Sequence, residues 1–253
     1  MTTTESSTPS LDVQGKVATI TLRRPAQANR LSNEDLALVL EHVNAVNAMD
    51  EVLVLQFRGQ GKYFCSGYDI RSIGGERSIA FDEVVNAVED ARPVTLVVLH
   101  GGVYGGGTDL SLACDFRIGT AATNMFMPAA RLGLHFYQRG LERYVSRLGL
   151  NAAKRLFLTA EHIDADEMKA CGFLTHLVAA DALEQSVDEL TQTLCGMAPI
   201  ALLGMKKHLN RMATGKLDVG DLNRDIARAA RSEDLKEGGA AWAEKRKPVF
   251  KGH

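Results

Sequence analysis

Residues 94–107 read "VTLVVLHGGVYGGG": six β-prone, mostly apolar residues run straight into a stretch where five glycines fall within seven positions, Gly101 to Gly107. No other segment of the chain narrows its fold so sharply. An unbroken apolar run of strand length predicts a strand buried on both faces, as in the middle of a parallel sheet. "TDLSLACD", which follows, reads as a helix. Strand, glycine turn and helix, in that order, make one step of an α/β architecture.

The flanking segments repeat the alternation. "KVATITLRR" (Lys16 to Arg24) alternates like a half-buried strand, and "RPAQANRLS" follows as a loop. Ser32 is placed to cap a helix over "NEDLALVLEHVNAVNAM", which carries acids in its first turn. "VLVLQFRG" (Val52 to Gly59) is a second β-rich run, and it leads into a loop that closes on Gly67. A helix from Phe81 to Asp90 precedes Pro93 and the strand Val94 to Leu99, and "DFRIGT" reads as a short strand. After about Asn151 the pattern turns to helices only: "NAAKRLFLTA", "DADEMKACG", "LEQSVDELTQTLCGM", "IALLGMKKHLNRM" and "LKEGGAAWAEKRK". The expected organisation is a disordered tail over 1–9, an α/β core over 10–197 and a helical region over 198–253, with no internal repeat.

A net charge of −2 argues against a nucleic-acid partner, which needs a basic face. The helix after Ser32 has no lysine, so an RNA-binding role is set aside as well. No apolar run reaches the ~18 residues of a membrane span, and "MTTTESSTPS" lacks the regions of a signal peptide. A cytoplasmic protein is expected. The four cysteines, at 65, 114, 171 and 195, form no CxxC, so reduced thiols and no metal site are expected. Cys65, beside a glycine loop, is a candidate nucleophile with no base evident near it.

The glycine cluster matches neither familiar phosphate motif. There is no GxxxxGK[ST], and Gly105 and Gly107 are followed by Leu110 where a dinucleotide fingerprint needs its third glycine. A tight turn alone would use one or two glycines. The surplus suggests backbone N–H groups at a helix N-terminus, free of intrahelical partners, facing an anion or a developing oxyanion. A second such loop, "FCSGYDI" (Phe64 to Ile70), also follows a β-rich run. Open α/β sheets bind ligands at the edge where such loops gather. Asp109, one turn into the helix, is either a dipole-complementing acid or a catalytic one.

With "FCSGYDI", "GGVYGGGTDLSLACD", "PAARLG" and the tail "SEDLKEGGAAWAEKRKPVFKG" in order and at suitable spacing, the sequence resembles the crotonase family of enoyl-CoA hydratases and isomerases from about residue 10 to its end. The resemblance implies a spiral of ββα units followed by a helical trimerisation region, and a homotrimer or dimer of trimers. It implies an acyl-CoA thioester substrate, with coenzyme A part of the substrate and no separate cofactor. The thioester oxygen would meet the backbone N–H groups of Tyr68 and Gly106. Substrate and CoA contacts carry over to Arg24, Ala28, Ser66, Gly67, Asp69, Ile70 and Gly105, and to Trp242 and Lys245 in the tail.

The sequence departs from the hydratase pattern at the catalytic acids. Asp109 stands where a glutamate is usual, shorter by one C–C bond of about 1.5 Å. Ala129, four residues before Gly133 of "ARLG", stands where the second glutamate is usual, so two-carboxylate addition of water cannot run unchanged. "LHFYQRG" replaces a glycine-rich turn and offers His135 as an acid or base, Tyr137 as a proton donor and Arg139 as a carboxylate binder, with Glu142 one turn on as a replacement acid. The catalytic candidates are therefore Asp109, His135 and Tyr137. The expected function is acyl-CoA chemistry of the hydratase/isomerase type. The alternatives are an acyl-CoA decarboxylase or hydrolase, or a non-catalytic acyl-CoA binding subunit.

Overall fold

The computed structural model describes residues 7–69 and 79–253. Ile70, and residues 1–6 of the expected tail, lie outside them. Within the described residues the Thr8 carbonyl accepts from Arg23 Nε at 2.9 Å, and that of Pro9 lies 3.3 Å from His42 Nε2.

A six-stranded sheet forms the centre. Its strands are β1 (Ser10–Gln14), β2 (Val17–Leu22), β3 (Val54–Gly59), β4 (Val94–Leu99), β6 (Phe116–Thr120) and β9 (His176–Val178), ordered β1-β2-β3-β4-β6-β9. The β1–β2 pair is antiparallel, and every other neighbour is parallel. All six residues of β4 are buried, as the unbroken run predicts for a central strand. A small second sheet holds β5 (Val103–Tyr104), β7 (Asn124–Phe126) and β8 (Ile163–Asp164) in the order β5-β7-β8.

The chain thus advances in ββα steps. β4 enters the large sheet, β5 the small one, and α3 (Gly106–Ala113) follows; β6 and β7 repeat this before α4 (Gln138–Leu148) and α5 (Leu150–Thr159). Two other helices, α1 (Asn33–Asn47) and α2 (Phe81–Glu89), pack apolar faces on the core. Ser32 caps α1 as expected, in a reciprocal capping box with Asp35.

The region after Asn151 is not helical throughout. β8 and β9 lie where helices only are expected, and β9 completes the large sheet beside β6, with Ile118 opposite His176. Two or three residues are too few for a period to register, and only the neighbouring strand makes them strands. Helices α6 (Ala165–Ala170), α7 (Leu183–Cys195), α8 (Pro199–Ala213) and α10 (Glu233–Glu244) fall on segments expected to be helical, and α9 (Val219–Ala229) is additional. α8 closes the end of the sheet from which β4 starts: the buried Lys206 donates to the carbonyls of Ala91 and Pro93 at 2.5 and 2.6 Å. Among the described residues no helix is long and apolar enough to cross a membrane.

Candidate active site

β3 and β4 are parallel neighbours, so the loops leaving them emerge at one edge of the sheet. Hydrogen bonds then lock those loops together. The Phe64 N–H donates to the Gly102 carbonyl at 3.0 Å and that of Tyr104 to Cys65 at 2.9 Å. The loop after β2 joins them through Ser66 N to Ala28 O at 2.9 Å, Leu31 N to Gly67 O at 2.8 Å and Asp69 N to Leu31 O at 3.0 Å. Asn29 is the staple: its buried Nδ2 donates to the carbonyls of Gln60, Tyr63 and Phe64 at 2.9–3.0 Å.

This brings Ala28, Ser66, Gly67, Tyr68, Asp69, Gly105 and Gly106 into one cluster. Gly67, at φ +101°, turns the backbone so tightly that an added Cβ would lie 2.9 Å from the Gly106 nitrogen. A Cβ on Gly106 would lie 3.2 Å from the Tyr68 nitrogen and 2.8 Å from the Phe81 ring. The Tyr68 N–H faces away from Leu31, because Gly67 and Asp69 supply the bonds of that parallel bridge. The Gly106 N–H opens α3, where a helix leaves its first donors without intrahelical acceptors. The Tyr68 ring stacks on Phe81 at 5.7 Å, and its hydroxyl donates to Asn33 Oδ1 at 2.6 Å.

Asp109 is fully buried one turn along α3. Its Oδ1 accepts from Arg143 Nη1 at 2.7 Å, and its Oδ2 accepts from the Tyr137 hydroxyl. A buried carboxylate needs such partners to remain charged. Burial pushes the Asp109 carboxyl above the usual aspartate range, with Arg143 and the Tyr137 hydroxyl pulling the other way. Burial and the charge of Asp109 push the Tyr137 phenol well above its usual value. Gly140 makes room for this turn, since a Cβ there would meet the Phe136 ring at 2.3 Å.

Other candidates stand elsewhere. His135 is exposed, and its Nδ1 lies 2.8 Å from the Phe136 carbonyl, so the polar turn delivers Tyr137 and not His135 to Asp109. Arg139 is paired with Glu89 at 2.8 Å and with Asp90. Glu142, about a quarter-turn round α4 from Arg143, accepts from Gln138 at 2.7 Å. Ala129 is buried and supplies no acid. Cys65 is poorly suited to act as a nucleophile, since burial pushes its thiol up to about 12 and it donates to the Asn29 carbonyl at 3.3 Å. Arg24 pairs with Asp35 and Glu34, each at 3.1 Å, and Asp69 with Arg30 at 3.5 Å. Trp242 is 88 % exposed on α10 and Lys245 is exposed at its end, so neither packs into the loop cluster of its own chain.

Sequence reading missed Arg143 and Glu89. The available signal was Arg139, Arg143 and Arg147, four residues apart on one stripe of α4 and so facing a common partner.

Residues 12–253 match the sequence profile of the family described as enoyl-CoA hydratase/isomerase. A short-chain-enoyl-CoA hydratase of Clostridium acetobutylicum is 27% identical over 247 residues, covering 94% of this chain and 95% of that one. A methylmalonyl-CoA decarboxylase of Escherichia coli is 27% identical over 251 residues, at 94% and 95% coverage. The crystal structure of an enoyl-CoA hydratase from Bacillus anthracis superposes with a TM-score of 0.84 at 28% identity, covering 97% of this chain and 99% of that one. With the ββα spiral, the glycine loops and the match over nearly its whole length, the chain belongs to the enoyl-CoA hydratase/isomerase family.

Proposed function

We propose that the protein shifts a double bond in an enoyl-CoA thioester, through an enolate, by a single proton relay. The observation that carries this reading is the state of Asp109: both oxygens are engaged, one by Arg143 and one by the Tyr137 hydroxyl, while Ala129 occupies the second-carboxylate position. Adding water calls for carboxylates free to hold and activate it, whereas both oxygens of Asp109 are engaged and Ala129 carries none. Moving a proton from one carbon to another needs one group that takes it and gives it back.

The Tyr137 oxygen removes a proton from the substrate carbon while passing its own to Asp109 Oδ2. The electrons of the broken C–H bond enter the enolate, and the negative charge settles on the thioester oxygen. The N–H groups of Tyr68 and Gly106 face that oxygen, and the N-terminus of α3 adds its dipole. Asp109 lies about 4.5 Å of helix rise beyond Gly106, within reach of the same substrate. Return of the proton at the other carbon, with Asp109 reprotonating Tyr137, completes the cycle. The elevated Asp109 carboxyl suits it to hold that proton in transit.

Decarboxylation is the second reading, favoured by the same missing carboxylate. Loss of CO2 creates the enolate without a base, and Tyr137 then has only to donate. Arg24, Ala28, Ser66, Gly67, Asp69 and Gly105 border the thioester and CoA. Trp242 and Lys245 would serve a neighbouring subunit's site in a homotrimer or dimer of trimers, with Met205, Leu209, Ile226 and Leu235, all more than half exposed, covered between subunits.

The test is incubation with 3-butenoyl-CoA, crotonyl-CoA and methylmalonyl-CoA in D2O, read by mass spectrometry. Conversion of the 3-enoyl to the 2-enoyl thioester with no water added is expected, deuterium entering only as far as the Tyr137 hydroxyl exchanges with solvent during the lifetime of the enolate. A product heavier by one water would overturn the relay, and loss of CO2 from methylmalonyl-CoA alone would select decarboxylation. Thioester binding with no conversion would leave a binding subunit.

A further inference from the structure

Asp109 and Tyr137 form the inner end of a longer buried ionic chain. Arg143, 0% exposed, sits at its centre. Beyond Asp109 it reaches back to α2: Nε donates to Glu89 Oε1, and Nη2 to Glu89 Oε2 and Asn86 Oδ1, all at 3.0 Å. Its Nη1 also stands 3.3 Å from the Tyr137 oxygen. Glu89 in turn meets Arg139 at 2.8 Å and Arg147 at 3.5 Å, and Arg139 ends the chain on the exposed Asp90. A buried ion pair contributes little net stability compared with an apolar pair of equal volume. Stability is thus a weak reason for this arrangement, and geometry offers a stronger one.

We propose that Arg143, clamped from behind by Glu89 and Asn86, is a positioning residue that holds Asp109 Oδ1 so that Oδ2 alone meets Tyr137, while Glu89 sets how much of the guanidinium charge Asp109 feels. The proposal rests on the relay reading of Tyr137 and Asp109. Among the described residues its groups are Asp109 from α3, Glu89 and Asn86 from α2, Arg139, Arg143, Tyr144 and Arg147 from α4, and Tyr137 from the turn before it. Burial raises the Asp109 carboxyl and Arg143 opposes that rise, whereas the Glu89 charge adds to it. Removing Arg143 and removing Glu89 must therefore move Asp109 in opposite directions, as charge coupling through the clamp requires and a loss of packing alone does not.

The experiment uses the full chain, labelled with 13C at the aspartate carboxyl, without any thioester. The Asp109 resonance, assigned by Asp109→Asn, is titrated by NMR. Arg143→Gln should raise its midpoint by about 1–3 pH units. Arg143→Lys should restore most of the shift, and Glu89→Gln should lower the midpoint below wild type. Movement in the same direction for Arg143→Gln and Glu89→Gln, or an unmoved midpoint in Glu89→Gln, overturns the proposal. Should Arg143→Gln fail to fold, the isosteric Glu89→Gln decides alone. The titration needs no turnover, so it stands apart from the thioester assay: failure there removes the relay, and failure here removes the role of Arg143 and Glu89.

Discussion

Replacing Gly106 by alanine separates the folding of the loop cluster from its use. Gly106 is the first residue of α3 and has no left-handed φ, so the helix accepts a side chain there. At this first helical position alanine gains at most its interior advantage over glycine of about 1 kcal/mol. Against that gain, the new Cβ would meet the Phe81 ring at 2.8 and 3.0 Å, and easing such overpacking costs about 1–3 kcal/mol. The two nearly offset, so the variant should stay within about 2 kcal/mol of wild type. Function fares differently. The Cβ would stand 3.2 Å from the Tyr68 nitrogen, at the outer edge of the shell of about 2.7–3.1 Å where an oxyanion must sit, and would crowd it. Displacing that oxygen from even one donor costs about 2.7–4 kcal/mol, a loss of about 10²–10³ in rate. The assay is kcat/KM for 3-enoyl-CoA isomerisation beside a thermal melt. A well-folded Gly106→Ala enzyme with kcat/KM within about threefold of wild type would refute the assignment of Tyr68 and Gly106 as the thioester donors.

Tyr137→Phe should lower kcat by about 10²–10⁴ and also strip Asp109 Oδ2 of its donor, an added stability cost of about 1–3 kcal/mol; unchanged kcat would return catalysis to another group. Asp109→Asn should cut turnover at least about tenfold with thioester affinity, read by calorimetry, nearly unchanged. The relay needs Asp109 ionised and its carboxyl is elevated by burial, so kcat should fall as pH drops, with an acid limb above the ordinary aspartate value of about 4. Glu89 behaves oppositely in stability. Burial raises it, but the hydrogen bonds and charge of Arg143, with Arg147 and Arg139, outweigh that and lower it. Its folded value lies below its unfolded one, so its contribution is present above the unfolded value and lost as pH falls through the folded one. The Tm gap between wild type and Glu89→Gln should therefore narrow in acid. Burial pushes the thiols of both Cys65 and Cys114 up to about 12, so a thiol reagent at pH 8 should leave these two unmodified until the protein is unfolded; prompt labelling of Cys65 in the native state would contradict its placement.

Local pattern determined the parts whose cause is local. The unbroken run Val94–Leu99 specified a strand buried on both faces, Ser32 with Asp35 started α1, and the surplus glycines announced close backbone approach. Each depends on residues a few positions apart, where period and capping chemistry act. The missing acid at Ala129 was legible through the family resemblance, which places a glutamate there.

Tertiary structure decided the rest. His135 and Tyr137 were equal candidates in the string, and only the packing of Phe136 and Gly140 aims the tyrosine at Asp109, 28 positions away. Arg143 and Glu89, 54 positions apart, are two ordinary charges until α2 and α4 face each other. The strand β9 exists because β6 lies beside it. A residue's period tells which face it occupies. What it meets there, and therefore its charge state and its chemistry, is fixed by contacts between segments far apart in the chain, and these form only when the whole core closes.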